Sequence, residues 1–228
     1  MNNFLLGIFI SSVLGLVACE NSAEKVEIVP KEKSKKEFKA STHRAPRKIS
    51  QLPTALVDVQ SVAPDIQIDL KYCTSDNFLK QRLYFSIDRA YLQKDVAQRL
   101  ARVQQALSKK KPGYHLLIFD ALRPVSVQEI MWAALDSLAP VERAKFVSNP
   151  KNRSLHNFGA AVDISIKDDN GKLLDMGAGF DDIRQIAYPS LEDSFFRAGR
   201  LTAQQLSNRL LLSNLMKSQG FRQLPTEW

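Results

Sequence analysis

The chain of 228 residues contains only two cysteines and three histidines, and no charged side chain precedes Glu20. So few cysteines exclude a disulfide framework, and stability must come from a packed apolar core. With 44% hydrophobic residues the chain can bury one sizeable core, and a single folded domain is the default. Long apolar runs are lacking as well. The longest, from Phe4 to Val17, is broken by Ser11 and Ser12; it is short for a membrane span and suits a signal-peptide core. No internal repeat occurs. The net charge of +8 invites a nucleic-acid reading, but no basic stripe is interleaved with aromatics, so no nucleic-acid partner is expected.

What is present begins with Leu16-Val17-Ala18-Cys19, which resembles a bacterial lipobox. It predicts a lipoprotein signal peptide over 1–18, cleaved before a lipidated Cys19, with an ordinary secretory signal as the alternative. Lipidation would leave Cys73 unpartnered, as a small buried apolar residue. Residues 20–55 hold nine Lys or Arg and five acids, half of the chain's positive excess, in a stretch poor in apolar residues. Residues 19–55 therefore read as a lipid-anchored, disordered charged tether, and 56–228 as the domain. The expected location is the periplasmic side of a bacterial membrane. Glu20 rather than Asp after the cysteine suits an outer-membrane destination in a Gram-negative cell.

Within the domain, Val57–Val62 and Ile66–Leu70 alternate like strands. Leu92, Val96, Leu100, Val103 and Leu107 fall at helical spacing over about 91–110, and Pro112-Gly113 stops that helix. The apolar run Tyr114–Phe119 predicts a buried strand ending at Asp120; Val125–Leu138 predicts a helix and Ala160–Ile166 a strand. Asp168-Asp169-Asn170-Gly171 predicts a turn, with Lys172–Met176 returning as a hairpin partner. A last helix over 203–218 is capped by Thr202 and Gln205, turns Leu206, Leu210 and Met216 inward, and stops at Gly220. Strands and helices do not alternate as βαβ units, so the expected class is α+β: a central antiparallel sheet with flanking helices.

The segment Ser154-Leu155-His156-Asn157-Phe158-Gly159-Ala160-Ala161-Val162-Asp163 carries the chemistry. A loop histidine and an aspartate at the head of a strand can converge on one zinc ion, since imidazole nitrogen and carboxylate oxygen are both proper zinc ligands. The full pattern S-x-H-x-x-G-x-A-x-D resembles that of the D-alanyl-D-alanine dipeptidases of the vancomycin-resistance type, relatives of the zinc D,D-carboxypeptidases. Tyr72 to Phe78 is similar to the family's Y-x-x-x-D-N-F element, Asp120 to Pro124 to its D-x-x-R-P element, and Met176 to Asp181 to its M-G-x-x-F-D stretch. Leu122 departs from the pattern, which has an aromatic before the arginine.

The resemblance implies one Zn2+ on His156 and Asp163, with Gly159 and Ala161 letting the backbone pass close to the metal. It also implies that Arg123 stabilises the transition state and that Asp181 receives the free amino group of a small D-amino-acid dipeptide. Ser154 and Tyr72 complete the substrate site. Arg123 paired with Asp120 in a surface turn is the structural alternative. Glu227 matches the general base and Trp228 the aromatic after it. The family's third ligand, a histidine, falls two positions beyond Trp228, so the sequence reads as a domain cut short; His43 and His115 are not obvious substitutes. The implied reaction is hydrolysis of D-alanyl-D-alanine, in cell-wall peptide turnover rather than resistance. The alternatives are a D,D- or L,D-carboxypeptidase on peptidoglycan stem peptides and an inactive wall-binding lipoprotein.

Overall fold

The computed structural model describes residues 56–225. The leader, Cys19, the tether, Glu227 and Trp228 lie outside the described residues. The elements in chain order are β1 (Leu56–Asp58), α1 (Val59–Val62), β2 (Gln67–Ile68), β3 (Tyr91–Gln93), α2 (Lys94–Lys110), β4 (His115–Asp120), α3 (Val125–Ala134), α4 (Pro140–Arg143), β5 (Asp163–Lys167), α5 (Glu192–Arg197) and α6 (Ala203–Ser218). The class is α+β, as expected. No helix among the described residues is long and apolar enough to cross a membrane.

The sheet differs from the expectation of an antiparallel one. β4 is central to three strands, parallel to β2 and antiparallel to β5, while β1 and β3 form a separate antiparallel pair. The parallel partner is only two residues long: Asp69 N–H makes the last ladder bond, to the Ile118 carbonyl, and a 3-10 turn begins at Lys71. The strand expected over Val57–Val62 ends at Asp58, whose carboxylate accepts from Gln60 N–H and caps α1. Helix α2 starts at Lys94 rather than Tyr91, since Tyr91–Gln93 is held extended by β1 and by the Gln93 N–H to Gly159 carbonyl bond. The Asp168–Gly171 turn forms, but its return strand is reduced to one bridge, Lys167 to Leu173.

Helix α2 lays Ala97, Leu100, Val103 and Leu107 into the main core against β4 and β5, which contribute Leu116, Ile118 and Ile166. Asp95 in its first turn and Lys109 and Lys110 in its last complement the helix dipole. A second cluster of Tyr72, Leu83, Tyr84, Val127, Met131 and Val147 lies beside the end of β4. Cys73 is partly buried, with its thiol on the Ile87 carbonyl.

Helix α6 has the bounds and the Thr202–Gln205 capping box that the sequence predicts, and Gly220 follows it at φ 82°. Its inner face is different. Leu210 is 45% exposed, and the buried positions are Asn208, Arg209 and Leu212. The helix is rotated so that Asn208 and Arg209 face the protein beside Leu212, while Met216 packs against the core as expected.

Candidate metal centre

The site forms where β4 ends and β5 begins. The antiparallel register slips between Ile118 and Asp120, and this irregularity brings Asp120 opposite Asp163. A bulge of this kind re-aims side chains at a strand end. Two carboxylates facing each other need a cation, and Arg123 supplies one. Its Nε and Nη2 lie 2.9 and 2.8 Å from Asp120 Oδ2, and Nη2 is 3.5 Å from Asp163 Oδ2. Burial works most strongly against the guanidinium charge, but Asp120, Tyr72, Asp163 and Tyr84 together hold the pKa well above the ordinary value.

The segment carrying His156 is fastened to the segment carrying Arg123 through the main chain. Arg123 N–H donates to the His156 carbonyl, and Asn157 Nδ2 donates to the Arg123 carbonyl. Residues Leu155–Phe158 form a 3-10 turn capped by Ser154, whose Oγ accepts from His156 N–H while its own N–H bonds Asn157 Oδ1. Gly159 ends the turn at φ 64°, a conformation glycine adopts freely. A Cβ there would lie 2.6 Å from Leu56 Cδ2. The close approach this glycine permits is thus to β1 and β3, not to the metal position expected from the sequence.

The His156 ring is oriented by the Ala121 carbonyl, 2.8 Å from Nδ1. A carbonyl only accepts, so Nδ1 carries the proton and Nε2 presents its lone pair. That lone pair faces Asp163 Oδ1 at 3.4 Å. Two electron-pair donors at this distance require a proton or a metal ion between them. The proton alternative is visible in the electrostatics. Burial pushes the His156 pKa down, yet Asp163 and Asp120 together raise it, while His156 and Arg123 hold the half-buried Asp163 below the usual carboxylate range against the effect of desolvation. The metal alternative fits as well, since tetrahedral zinc with bonds of about 2.0–2.2 Å sets its ligand atoms about 3.4 Å apart.

Asp120, His156 and Asp163 offer ligand atoms within 4.8 Å of one another, a geometry that can hold a metal ion. Asp120 is the poorest donor of the three. Its Oδ1 accepts from Tyr84 O–H at 2.6 Å and Ala121 N–H at 2.9 Å, and its Oδ2 faces Arg123. It orients Arg123; His156 and Asp163 are the residues with lone pairs to give. The ion pair that the sequence offered as a bland surface turn is real but buried, with Asp120 fully shielded from solvent.

Tyr72 connects this centre to Asp181. The Arg123 guanidinium lies 5.5 Å from the Tyr72 ring centre, and the Tyr72 hydroxyl donates to the Asp181 carboxylate at 3.1 Å. Burial raises the Tyr72 pKa well above its ordinary value, so the hydroxyl stays a donor. Asp181 also accepts from Phe78 N–H at 3.3 Å, and it lines a cavity of about 300 Å³ together with Phe78, Phe119, Phe180 and Lys71. Burial lifts its pKa to about 6, against the two donors that favour its anion. Its backbone lies at φ 58°, which Asp tolerates better than most residues and which is uncommon enough to mark a constrained position.

His156, Asp163 and Arg123 therefore meet directly, and Tyr72 and Asp181 adjoin them. Ser154 is placed as the cap of the histidine turn. The sequence reading offered Asp120 as a partner of Arg123 but as a surface pair rather than a buried part of the site, and it missed Tyr84 beside Asp120 and Asn157 as the clasp between segments. The D-x-x-R and H-N spacings carried a signal for Asp120 and Asn157; nothing local marked Tyr84.

A buried guanidinium beside a histidine–carboxylate pair able to hold a metal ion is the active-site chemistry of a metallopeptidase. The sequence profile of the peptidase M15 D-ala-D-ala dipeptidases matches residues 53–228. The chain belongs to this family. The D-alanyl-D-alanine dipeptidase of Escherichia coli (strain K12) is 34% identical over 178 residues, 77% of this chain and 82% of that protein. The D-alanyl-D-alanine dipeptidase of Synechocystis sp. (strain ATCC 27184 / PCC 6803 / Kazusa) is 29% identical over 164 residues, 60% of this chain and 66% of that protein.

Proposed function

We propose that this chain hydrolyses D-alanyl-D-alanine with one zinc ion held by His156 and Asp163. The observation that carries this reading is the pair of opposed lone pairs, His156 Nε2 and Asp163 Oδ1, 3.4 Å apart beside a buried arginine. When bound, the metal supplies Lewis acidity and lowers the pKa of a water toward neutrality. The Arg123 Nη1 group has no protein partner among the described residues and is the donor for the oxyanion that develops on the scissile carbonyl. Asp181, steadied by Tyr72 and Phe78, receives the substrate ammonium and sets the distance from the free amino end to the bond that is cut. Glu227 takes a proton from the attacking water and passes it to the leaving amine. Ser154 lies beside the same site as a hydroxyl for the substrate's other end.

Lipidation of Cys19 would place the enzyme outside the inner membrane, on the periplasmic side, where turnover of released wall peptides is its role. Labelled palmitate that still enters a Cys19→Ser protein would sink that placement. For the reaction, the product of the complete gene is assayed with D-Ala-D-Ala, N-acetyl-D-Ala-D-Ala and a stem pentapeptide, with zinc measured by atomic absorption. Bound zinc and preference for the free dipeptide are expected. Preference for the pentapeptide would replace the dipeptidase reading with a carboxypeptidase.

A further inference from the structure

We infer that Arg209, on α6, is a positioning residue that sets where Asp181 stands and so controls selection for a free amino terminus. The inference rests on the reading of Asp181 as the ammonium acceptor. The stretch from Asp175 to Arg184, which carries Asp181, belongs to no helix or strand, so no ladder of hydrogen bonds fixes it. Side chains of α6 do so instead. Arg209 Nε donates to the Met176 carbonyl at 2.6 Å, and Nη2 donates to the Ile186 carbonyl at 2.9 Å. One guanidinium thus grips both ends of the loop, with Asp181 midway between. Asn208 Nδ2 adds a bond to the Asp175 carbonyl at 2.8 Å, and Gln205 Nε2 one to the Asp175 carboxylate at 2.9 Å.

Arg209 is fully buried, and Glu192 Oε1 lies 3.4 Å from its Nη1. Burying a guanidinium and an amide on a helix face where leucine would pack is unfavourable unless their donors are satisfied. Here the Met176 and Ile186 carbonyls take two of the guanidinium's donors and the Asp175 carbonyl takes the amide's, while Glu192 on α5 meets Nη1. Arginine suits this task because its planar fork directs donors to two places at once; a lysine ammonium offers one point of charge. The rotation of α6 that leaves Leu210 exposed turns this pair toward the loop.

The test compares wild type, Asp181→Asn, Arg209→Lys, Asn208→Ala and the Asp181→Asn/Arg209→Lys double variant in the complete gene product. The readout is the ratio of kcat/KM for D-Ala-D-Ala to that for N-acetyl-D-Ala-D-Ala, with zinc content and circular dichroism in parallel. Arg209→Lys should lower the ratio about tenfold or more, through KM, while kcat and zinc content stay within about twofold of wild type. Asn208→Ala, which releases one end only, should lower the ratio about two- to fivefold, and it decides the matter if Arg209→Lys does not fold. The double variant should show a ratio no lower than Asp181→Asn alone, since both act on one group. Equal losses on both substrates in Arg209→Lys and Asn208→Ala, with Asp181→Asn selective, would overturn the role of Arg209 and leave that of Asp181 standing. An unchanged ratio in Asp181→Asn itself would overturn both.

Discussion

The two halves of the active site are built in opposite ways. At the end of β4 and start of β5, each functional group is fixed by a near neighbour. Ala121 aims His156, Asp120 aims Arg123 three residues on, and the turn that carries His156 is bonded to the arginine's own backbone. The Asp181 loop has short turns of its own, where Asp175 accepts from Gly177 and Asp182 from Arg184, but its two ends are held by a helix that begins some twenty residues later. The metal half is thus held where two strands and one capped turn meet, and the amine half is held at its ends by side chains of α6. Substitutions should separate the two.

The largest effect is expected from His156→Ala. Removing one of the two proposed ligands should cut kcat/KM by about a thousandfold or more and strip most of the metal, because a catalytic zinc site rests on three protein ligands. Metal analysis after dialysis checks the first half of the comparison. A variant that keeps its metal would show that His156 is not a ligand.

Asp120→Ala should come next, now on stability. It leaves the buried Arg123 guanidinium without its main counter-charge, a loss on the order of 3–5 kcal/mol. Urea titration measures it; a loss below about 1 kcal/mol would mean that Asp163 alone suffices to pair the arginine.

Asp181→Asn should move activity and stability in opposite directions. The folded protein raises the Asp181 pKa from 3.8 to about 6, so the fold binds this proton more tightly than the unfolded chain does. Stability is accordingly highest below about pH 4, falls between about pH 4 and 6, and is level above. At neutral pH the buried carboxylate is a liability of at most about 3 kcal/mol, and asparagine, which accepts the same donors and the same φ, should recover roughly 1–3 kcal/mol of it. In the wild-type enzyme KM for the free dipeptide should rise as pH falls through about 6, because the protonated acid cannot pair with an ammonium. A thermal melt unchanged by Asp181→Asn at neutral pH, or a flat KM profile across that range, would contradict this.

The smallest effect belongs to Thr202→Ala. Loss of the α6 cap should lower stability by about 1 kcal/mol. If the amine half depends on α6, this variant should soften selectivity for the free amino end while leaving metal content untouched. Equal effects on the two halves would erase the distinction.

The same contrast explains what was legible in the sequence. His156, Asp163, Arg123 and Asp120 sit in short motifs whose spacing reflects contacts made within a few residues or across one strand pair. The β4 strand and α6 were readable for similar reasons: an unbroken apolar run in one, a Thr202–Gln205 box in the other. What failed was non-local. The two-residue parallel strand Gln67–Ile68 has too little pattern to reveal its partner. Val59–Val62 alternates like a strand, but Asp58 caps it into a helical turn. Apolar periodicity placed Met216 correctly but misplaced Leu210 on α6, where Asn208 and Arg209 are turned inward to bond the loop before Ile186.

Every bond that Arg209 and Asn208 make to the Asp181 loop ends on a main-chain carbonyl: Asp175, Met176 and Ile186. A carbonyl is present whatever the side chain. The carbonyl moorings therefore survive substitutions within 178–185, provided Phe180 keeps its packing on Tyr72 and Phe119 and Ala178 its place against Leu201. The protein offers a specificity cassette on a fixed frame: new residues opposite the metal would present new recognition chemistry, while the helix that carries the clamp and the strands that carry the centre stay as they are.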